Sequence, residues 1–505
     1  MALVYLLLLP LSITFLVVIT LSRFLSASAA SKHCPLPLPP GPKRWPIIGN
    51  IPHMTRKVHI TMSEFAKTHG PLISVKLGAQ LIVVASSPAA AAEILKTHDR
   101  VFSARYVTKS SPFKISDIDR MAIVWASNCN DSWKSLRGLC RTELFSGRAI
   151  ESQAAVREKK VSKMVEFLAS REAEMVDIGE IVLTTIFNSL CNLFFSADLL
   201  GLEDSKGKAS GLKSHIWKLM ELAIAPNIAN FYPFLEPLDP QGLKKRTLKV
   251  VTQIFSVWES YIRERREIHE SKLYGDTLKW DFLDVFLSNG FDDQKINWLF
   301  LELLTAGTET TTTTVEWAMA ELLKNGEAMR KVREELTREI GENPITEANA
   351  SQLTFLNASI KETFRLHPPA PFLIPHRALE TCQVMNYRIP KDSQVIVNVW
   401  AIGRDPSVWE DPLSFRPERF IDGSITADFK GCDFELLPFG SGRRVCPGLP
   451  MAAKQVPLIL ASLIKGFDWT LPGGDDPAKL DMDEKFGLTL QKDQPLLLVV
   501  RKQSM

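Results

Sequence analysis

The sequence predicts a mainly α fold, a large helical body carrying small β-sheets behind an N-terminal transmembrane helix. Three features lead there. Apolar residues recur at helical spacing through most of the chain. Short strand-like runs are read only at 71–85 and in the last quarter of the sequence. A run without any charge, Ala2 to Ser22, precedes everything else.

That run sets the first boundary. At about 1.5 Å per residue its length reaches roughly 30 Å, enough to cross a bilayer as a helix. The small residues Ser26-Ala-Ser-Ala-Ala30 leave a cleaved signal peptide as the competing reading. Against it, the run is longer than a usual h-region and no basic n-region precedes it. The first basic residues, Arg23, Lys32, Lys43 and Arg44, follow the span, which predicts a single-pass anchor at 1–23 with the rest of the chain cytosolic. Residues 24–44 read as a hinge, because Pro35-Leu-Pro-Leu-Pro-Pro-Gly-Pro42 is locked into a stiff extended connector. Residues 45–505 form the body. There, 71–77 and 81–85 read as a hairpin about Gly78. Helices are predicted at 89–98, 131–143, 154–168, 178–195, 211–222, 244–272 and 296–323, and short strands at 395–399 and 495–500. Between Arg404 and Pro438 abundant Pro, Asp and Gly predict ordered but irregular backbone.

The 505 residues carry 45% hydrophobic and 23% charged side chains, ordinary for a globular protein, and a net charge of +3 is too small to argue for nucleic acid. Cysteines 34, 129, 140, 191, 382, 432 and 446 are odd in number and lack CxxC pairing, so neither a disulfide framework nor a zinc site is indicated. The sequons at Asn130, Asn349 and Asn357 would be idle in a cytosolic body.

The most informative segment is Phe439-Gly-Ser-Gly-Arg-Arg-Val-Cys-Pro-Gly448. An iron thiolate needs its sulfur held still and shielded from water. Gly442 and Gly448 permit sharp turns that bring backbone N–H groups toward the Cys446 sulfur. Phe439 can cover it, and Arg444 is spaced to reach a haem propionate. The segment resembles F-x-x-G-x-R-x-C-x-G, the ligand loop of the cytochrome P450 monooxygenases. The resemblance implies haem b with Cys446 as the axial iron ligand.

Other segments match the family in order. Ala306-Gly-Thr-Glu-Thr-Thr311 lies in the long helix and runs into the threonines 310–314. Threonine is a mediocre helix former, so a cluster of it asks for a reason. Hydroxyls that bond back one turn would bend the helix, and a local opening beside Gly307 would suit oxygen binding. Glu309 and Thr310, an acid beside an alcohol, resemble the family's oxygen-activation pair, which relays protons. Both are retained, against the branches that use preformed hydroperoxides. Glu362 and Arg365 share one helical face, and Arg419 in Pro417-Glu-Arg-Phe420 completes a charge triad that is structural in the family. Glu327/Arg330 and Glu335/Arg338 have the same spacing and read as solvated surface pairs. Trp133 and Arg137, four apart, could offer two donors to one propionate. His376 is similar to a family position that reaches the other.

Longer stretches, among them Ser132 to Phe145, His376 to Cys382 and Glu484 to Lys492, resemble the plant alkaloid-pathway group that contains N-methylcoclaurine 3'-hydroxylase, phenol-coupling enzymes and littorine mutase. The resemblance implies an endoplasmic-reticulum monooxygenase of a small apolar or aromatic alkaloid, with benzylisoquinoline hydroxylation or oxidative phenol coupling favoured. Radical rearrangement of a tropane ester, or a non-catalytic membrane haem protein, are the alternatives. No G-x-G-x-x-G follows a predicted strand, so NADPH electrons must come through a membrane-bound NADPH-cytochrome P450 reductase. Basic Lys134, Arg141 and Arg443 could meet its acidic surface. By analogy the substrate pocket is expected from 103–124, 231–240, 369–373 and 486–488.

Overall fold

The computed structural model describes residues 36–203, 211–271 and 281–502. The predicted membrane span lies outside them. Ten helices form the framework: α1 (Val58–His69), α2 (Asp131–Glu143), α3 (Ala154–Ala169), α4 (Ile178–Phe195), α5 (Gly211–Ile224), α6 (Leu243–Ser271), α7 (Asp293–Lys324), α8 (Gly326–Glu339), α9 (Thr354–Leu366) and α10 (Leu449–Gly466). Their starts are written locally. Asn130, Asp177 and Asp292 each accept a hydrogen bond from a first-turn N–H of α2, α4 and α7. Helix α7 is buried along most of its length, from Ile296 to Leu322, and runs through the centre against α4, α9 and α10. An all-round apolar surface of that kind belongs in a core. Helix α4 is long and apolar enough to cross a bilayer, yet 72% of it is buried against α3 and α7, so it is a core helix.

Strands β1 (Leu72–Leu77), β2 (Gln80–Ala85), β3 (Ala104–Arg105), β4 (His376–Arg377) and β5 (Gln394–Val397) make one sheet in the order β1-β2-β5-β4-β3. The predicted hairpin is β1–β2, with Leu77 opposite Gln80 across Gly78 and Ala79. Only β2 and β5 run parallel. In register, Arg105 faces His376, which brings two distant segments to one edge. A second sheet joins Met175–Asp177, Leu497–Lys502 and Phe467–Thr470.

Several boundaries differ from expectation. The 89–98 helix is Pro88–Ala92 passing into a wider π-helical turn at Glu93–Thr97. The strand expected at 395–399 stops at Val397, because the Asn398 side chain caps a helical turn from Val399 to Ile402. The last strand is Leu497–Lys502 rather than 495–500. Helix α7 is unbroken past Gly307, contrary to the expected local opening. Helices α1, α8 and α10 were not foreseen; α10 takes Pro450 into its first turn and carries Pro457 inside it. The irregular stretch after Arg404 holds only a short 3₁₀ turn at Pro417–Phe420.

From Leu36 the hinge lies along the body. The Pro40 carbonyl accepts from Ser74 N at 2.7 Å, and Arg388 N donates to Pro37 O at 2.8 Å. The sequon asparagines are used structurally. Asn130 caps α2, Asn349 shares a capping box with Thr346, and Asn357 donates to Leu353 O at 2.6 Å.

Candidate active site

Cys446 lies on a turn between the 3₁₀ turn Gly442–Arg444 and α10, where its sulfur borders an internal cavity. The turn is tight for a visible reason. Gly442 has φ +68°, and a Cβ there would collide with Leu95 O. The Cys446 N–H donates to Phe439 O at 2.9 Å, closing the loop on itself. Gly448 has an ordinary φ of −79°, so it contributes its N–H rather than a turn. Burial pushes the Cys446 thiol up, and the Gly448 N–H, the Arg137 guanidinium and the Leu449 N–H oppose that shift by stabilising the thiolate. Phe439 packs edge-on against Phe364, with ring centroids 5.3 Å apart, and lines the cavity beside the sulfur.

One rim of the cavity is strongly cationic. Arg105, Arg137, Arg444 and His376 all line it, and among the described residues none of the three guanidiniums has a carboxylate within ion-pair distance. Burial draws all three below the usual guanidinium range. Arg105 donates to Ile374 O at 2.6 Å, while its Nε is buried without a partner. Arg444 spends three donors on the carbonyls of Ser103, Ile123 and Ala126 at 2.7, 3.2 and 2.8 Å. Arg137 donates to Val445 O. His376 Nδ1 contacts Phe102 O at 2.6 Å, which makes Nδ1 the protonated nitrogen and leaves Nε2 free for the cavity. Burial, reinforced by Arg105, holds His376 neutral, its pKa well below the ordinary value.

A cluster of buried, unpaired cations is costly unless an anion meets it. With the thiol on one face of the same cavity, this donor set fits a haem, with Cys446 for the iron and the cationic rim for its propionates. Trp133 is a correction to the expected donor pair. Its indole N–H is taken by Ile123 O at 2.9 Å, and its ring instead lies under the guanidiniums of Arg444 and Arg137, at 4.7 and 5.8 Å. Arg105 was missed. The only available signal was its cross-strand register with His376, which no local spacing discloses.

On the opposite side, Ala306, Gly307, Thr310, Thr311 and Thr314 of α7 line the cavity. The threonine hydroxyls bond back one turn, Thr310 to Ala306 O at 2.7 Å and Thr311 to Gly307 O at 2.9 Å. A Cβ at Gly307 would stand 2.9 Å from a Leu190 methyl carbon, so Leu190 would have to turn aside. Glu309 does not join Thr310 in this cavity. Consecutive helical residues point about 100° apart. Glu309 therefore turns toward Gln491 and a smaller pocket beneath α5. Two turns earlier Glu302, also missed, accepts the N–H groups of Ile123, Val124 and Trp125 at 2.7, 3.1 and 3.2 Å, pinning a loop that supplies cavity wall.

Glu362, Arg365 and Arg419 meet in the interior. Arg365 Nε and Nη2 grip Glu362 at 2.8 and 2.7 Å, and Arg419 Nε reaches it at 3.0 Å. Glu327 and Arg330 form an exposed pair at 2.6 Å. Glu335 departs from the surface pairing expected with Arg338. It is buried and accepts the Phe355 and Leu356 N–H groups at the start of α9, at 2.8 and 2.9 Å. Of the expected pocket segments, Arg105, Ile123 and Val124, and Pro369, Ala370 and Leu373, line the cavity. The other two lie elsewhere. Phe231 O accepts from Ala79 N at the hairpin tip, and Phe486 stacks on His59 with centroids 5.4 Å apart.

A helical body with a cysteine on a tight proximal loop, a cationic rim and a threonine-bearing central helix defines a haem-thiolate oxygenase. The cytochrome P450 family model matches residues 39–499, and the chain belongs to that family. It is a monooxygenase whose haem iron takes the cysteine thiolate and whose electrons come from NADPH through a reductase. Among its relatives, a probable (S)-N-methylcoclaurine 3'-hydroxylase isozyme 2 from Coptis japonica is 50% identical, covering 92% of this chain and 94% of the relative. The (S)-N-methylcoclaurine 3'-hydroxylase isozyme 1 of Papaver somniferum is 48% identical over 92% and 95%. Corytuberine synthase of Coptis japonica is 46% identical over 92% and 94%.

Proposed function

We propose that this enzyme oxidises a benzylisoquinoline alkaloid, by aromatic hydroxylation or oxidative phenol coupling, at the endoplasmic-reticulum membrane. The observation that carries the substrate class is identity of 46–50%, over more than nine-tenths of each chain, to both a 3'-hydroxylase and a corytuberine synthase. The cavity is compatible with such a molecule. Its distal wall of Val124, Leu303, Ala306, Ala370 and Leu373 is apolar, as suits an aromatic ring system.

When bound, the haem supplies oxygen activation and the oxidation of a substrate C–H or O–H bond. The chain's residues do the rest. Cys446 holds the metal, and the Gly448 and Leu449 N–H groups moderate the charge on its sulfur. Arg105, Arg137 and Arg444 would hold the propionates, and His376 beside them, its Nδ1 proton given to Phe102 O, would join them only by taking a second proton on Nε2. Trp133 supports two of those guanidiniums from below. Glu362, Arg365 and Arg419 keep the scaffold behind the cysteine loop rigid. Thr310 offers a hydroxyl at the distal wall, and Glu309 behind it is the proton source. The apolar wall excludes bulk water and sets which ring atom faces the centre. Ala2 to Ser22 anchors the body, and exposed Lys134, Arg141 and Arg443 face the reductase.

The test is turnover by microsomes with reductase and NADPH against benzylisoquinoline and tropane alkaloids, read by mass. Hydroxylation adds one oxygen, coupling removes two hydrogens, and rearrangement changes neither. Turnover of tropane esters alone, with no benzylisoquinoline consumed, overturns the substrate assignment.

A further inference from the structure

Glu309 has a partner that the reaction scheme does not use. Its Oε1 accepts a 2.6 Å hydrogen bond from Nε2 of Gln491. Gln491 belongs to a hairpin, Glu484–Lys485 paired with Gln491–Lys492, that is fastened on both sides of that residue. Leu490 O accepts the Trp317 indole N–H of α7 at 2.8 Å, and Leu490 N donates to Pro369 O, on the cavity wall, at 2.9 Å. The amide is therefore presented from a rigid support.

The carboxylate borders the small pocket, with Leu183, Phe187, Trp217, Thr305 and Thr308, rather than the haem cavity. Thr308 is buried, and its hydroxyl lacks a partner among the described residues. Two charged pairs stand nearby on packed elements. Lys213 of α5 lines the pocket but is held by Glu180 of α4, and Glu316, farther along α7, accepts the Leu496 N–H and feels Lys492. Neither pair is bonded to Glu309. Burial pushes the Glu309 carboxyl above its ordinary value, and the Thr489 hydroxyl and the Gln491 amide oppose that.

We propose that Gln491 is a positioning residue for oxygen reduction, fixing the Glu309 carboxylate at the edge of the small pocket, where it collects protons for delivery through water to Thr310. An amide N–H donated to a carboxylate favours the ionised form, so Gln491 keeps a buried acid able to give up its proton. The proposal rests on the reading of Glu309 as proton source, and the experiment separates the two.

The full-length haem-loaded protein is compared with Q491M, of similar length but without a donor, and with Q491E. The first readout needs no turnover. The pH midpoint of the Glu309 carboxyl infrared band, assigned by its loss in E309Q, rises by about one pH unit in Q491M and further in Q491E. The second is the NADPH consumed per hydrogen peroxide released, without substrate. Reduction of O₂ to H₂O₂ takes one NADPH and one proton from solvent, and reduction to two waters takes two of each. Q491M shifts the balance toward peroxide, and E309Q shifts it further. An unchanged midpoint in both Gln491 variants overturns the positioning role. A moved midpoint with wild-type peroxide yield in E309Q overturns the proton-source reading and the delivery half of the proposal with it.

Discussion

Removing Arg365 should cost this protein a large share of its stability, with its first effect at the cysteine. The guanidinium and the Glu362 carboxylate are both fully buried. Arg365 makes two bonds to Glu362 and donates to Gly403 O, Pro412 O and Ser414 O at 2.6, 2.6 and 3.0 Å. In Arg365→Ala, Glu362 keeps only Arg419 and the Arg416 N–H, and the Gly403 and Pro412 carbonyls lose a donor. Breaking a buried pair from one side costs roughly 3–5 kcal/mol. Against a typical stability of about 5–15 kcal/mol, that is roughly a fifth or more. Arg365→Lys recovers little, because one ammonium cannot grip both oxygens and reach the carbonyls. Helix α9, which carries the pair, also carries Phe364 against Phe439 of the cysteine loop. Loosening the network should therefore release the cysteine before the fold is lost. The assay is urea unfolding followed by tryptophan fluorescence and, in parallel, by the carbon monoxide difference band of the reduced protein. The expected order in R365A is loss of the thiolate-type band at lower urea than the fluorescence change. Arg330→Ala, which removes exposed contacts to Glu327 and Glu334, is the control and should leave both midpoints nearly where they are in the wild type. An R365A midpoint equal to that of R330A refutes the reasoning.

Glu316 gives a pH dependence of defined sign. Burial raises its carboxyl from about 4.5 to about 7, so the folded chain binds a proton that the unfolded chain has released across that window. Its contribution to stability must then fall as pH rises from 4.5 to 7, by about 3 kcal/mol. E316Q should gain on the wild type progressively over that range in urea midpoints, and a constant difference sinks the claim. For Arg105, Arg105→Ala removes a charge-assisted donor worth about 1.5–3 kcal/mol and should speed haem transfer to an apo-haem acceptor by roughly 10- to 100-fold. Arg377→Ala, on the neighbouring residue paired with Asp392, should leave that rate unchanged. Replacing Glu302 by Ala orphans the Ile123, Val124 and Trp125 N–H groups and should both destabilise the fold by about 2–4 kcal/mol and weaken the binding of any alkaloid that the wild type takes up, read as a spectral titration. Glu302→Gln, which keeps one acceptor oxygen, should lie between.

What could be read in the sequence divides along a physical line. Cys446, its glycine at 442 and the threonines of α7 were legible because their constraints act over a few residues: a turn with φ +68°, a hydroxyl bonding back to the carbonyl four before it. Helices α4 and α7 were legible because an apolar surface several turns long has one physical reading. The spacing of Glu362 and Arg365 did not by itself announce burial, since Glu327/Arg330 has identical spacing and sits in solvent; what set the pair apart was Leu366-His-Pro-Pro after it and the later Pro417-Glu-Arg-Phe420. Burial is a property of what packs on top, here the segment from Gly403 to Arg419. The same ambiguity hid Glu335, whose oxygens cap a helix starting about twenty residues later rather than meeting the arginine one turn away. Arg105, Glu302 and Gln491 had no local signature at all, because each acts on a group brought beside it only by sheet register or by docking of the last hairpin. Glu309 is the instructive intermediate. Adjacency to Thr310 in the chain suggested adjacency in space, but one step along a helix is about 100° of rotation, which sends the two side chains to different cavities. An acid and an alcohol so arranged can communicate only through water or motion. Gln491, which holds the acid in place, then acts on proton delivery through that acid, and its loss should cost less than the loss of Glu309.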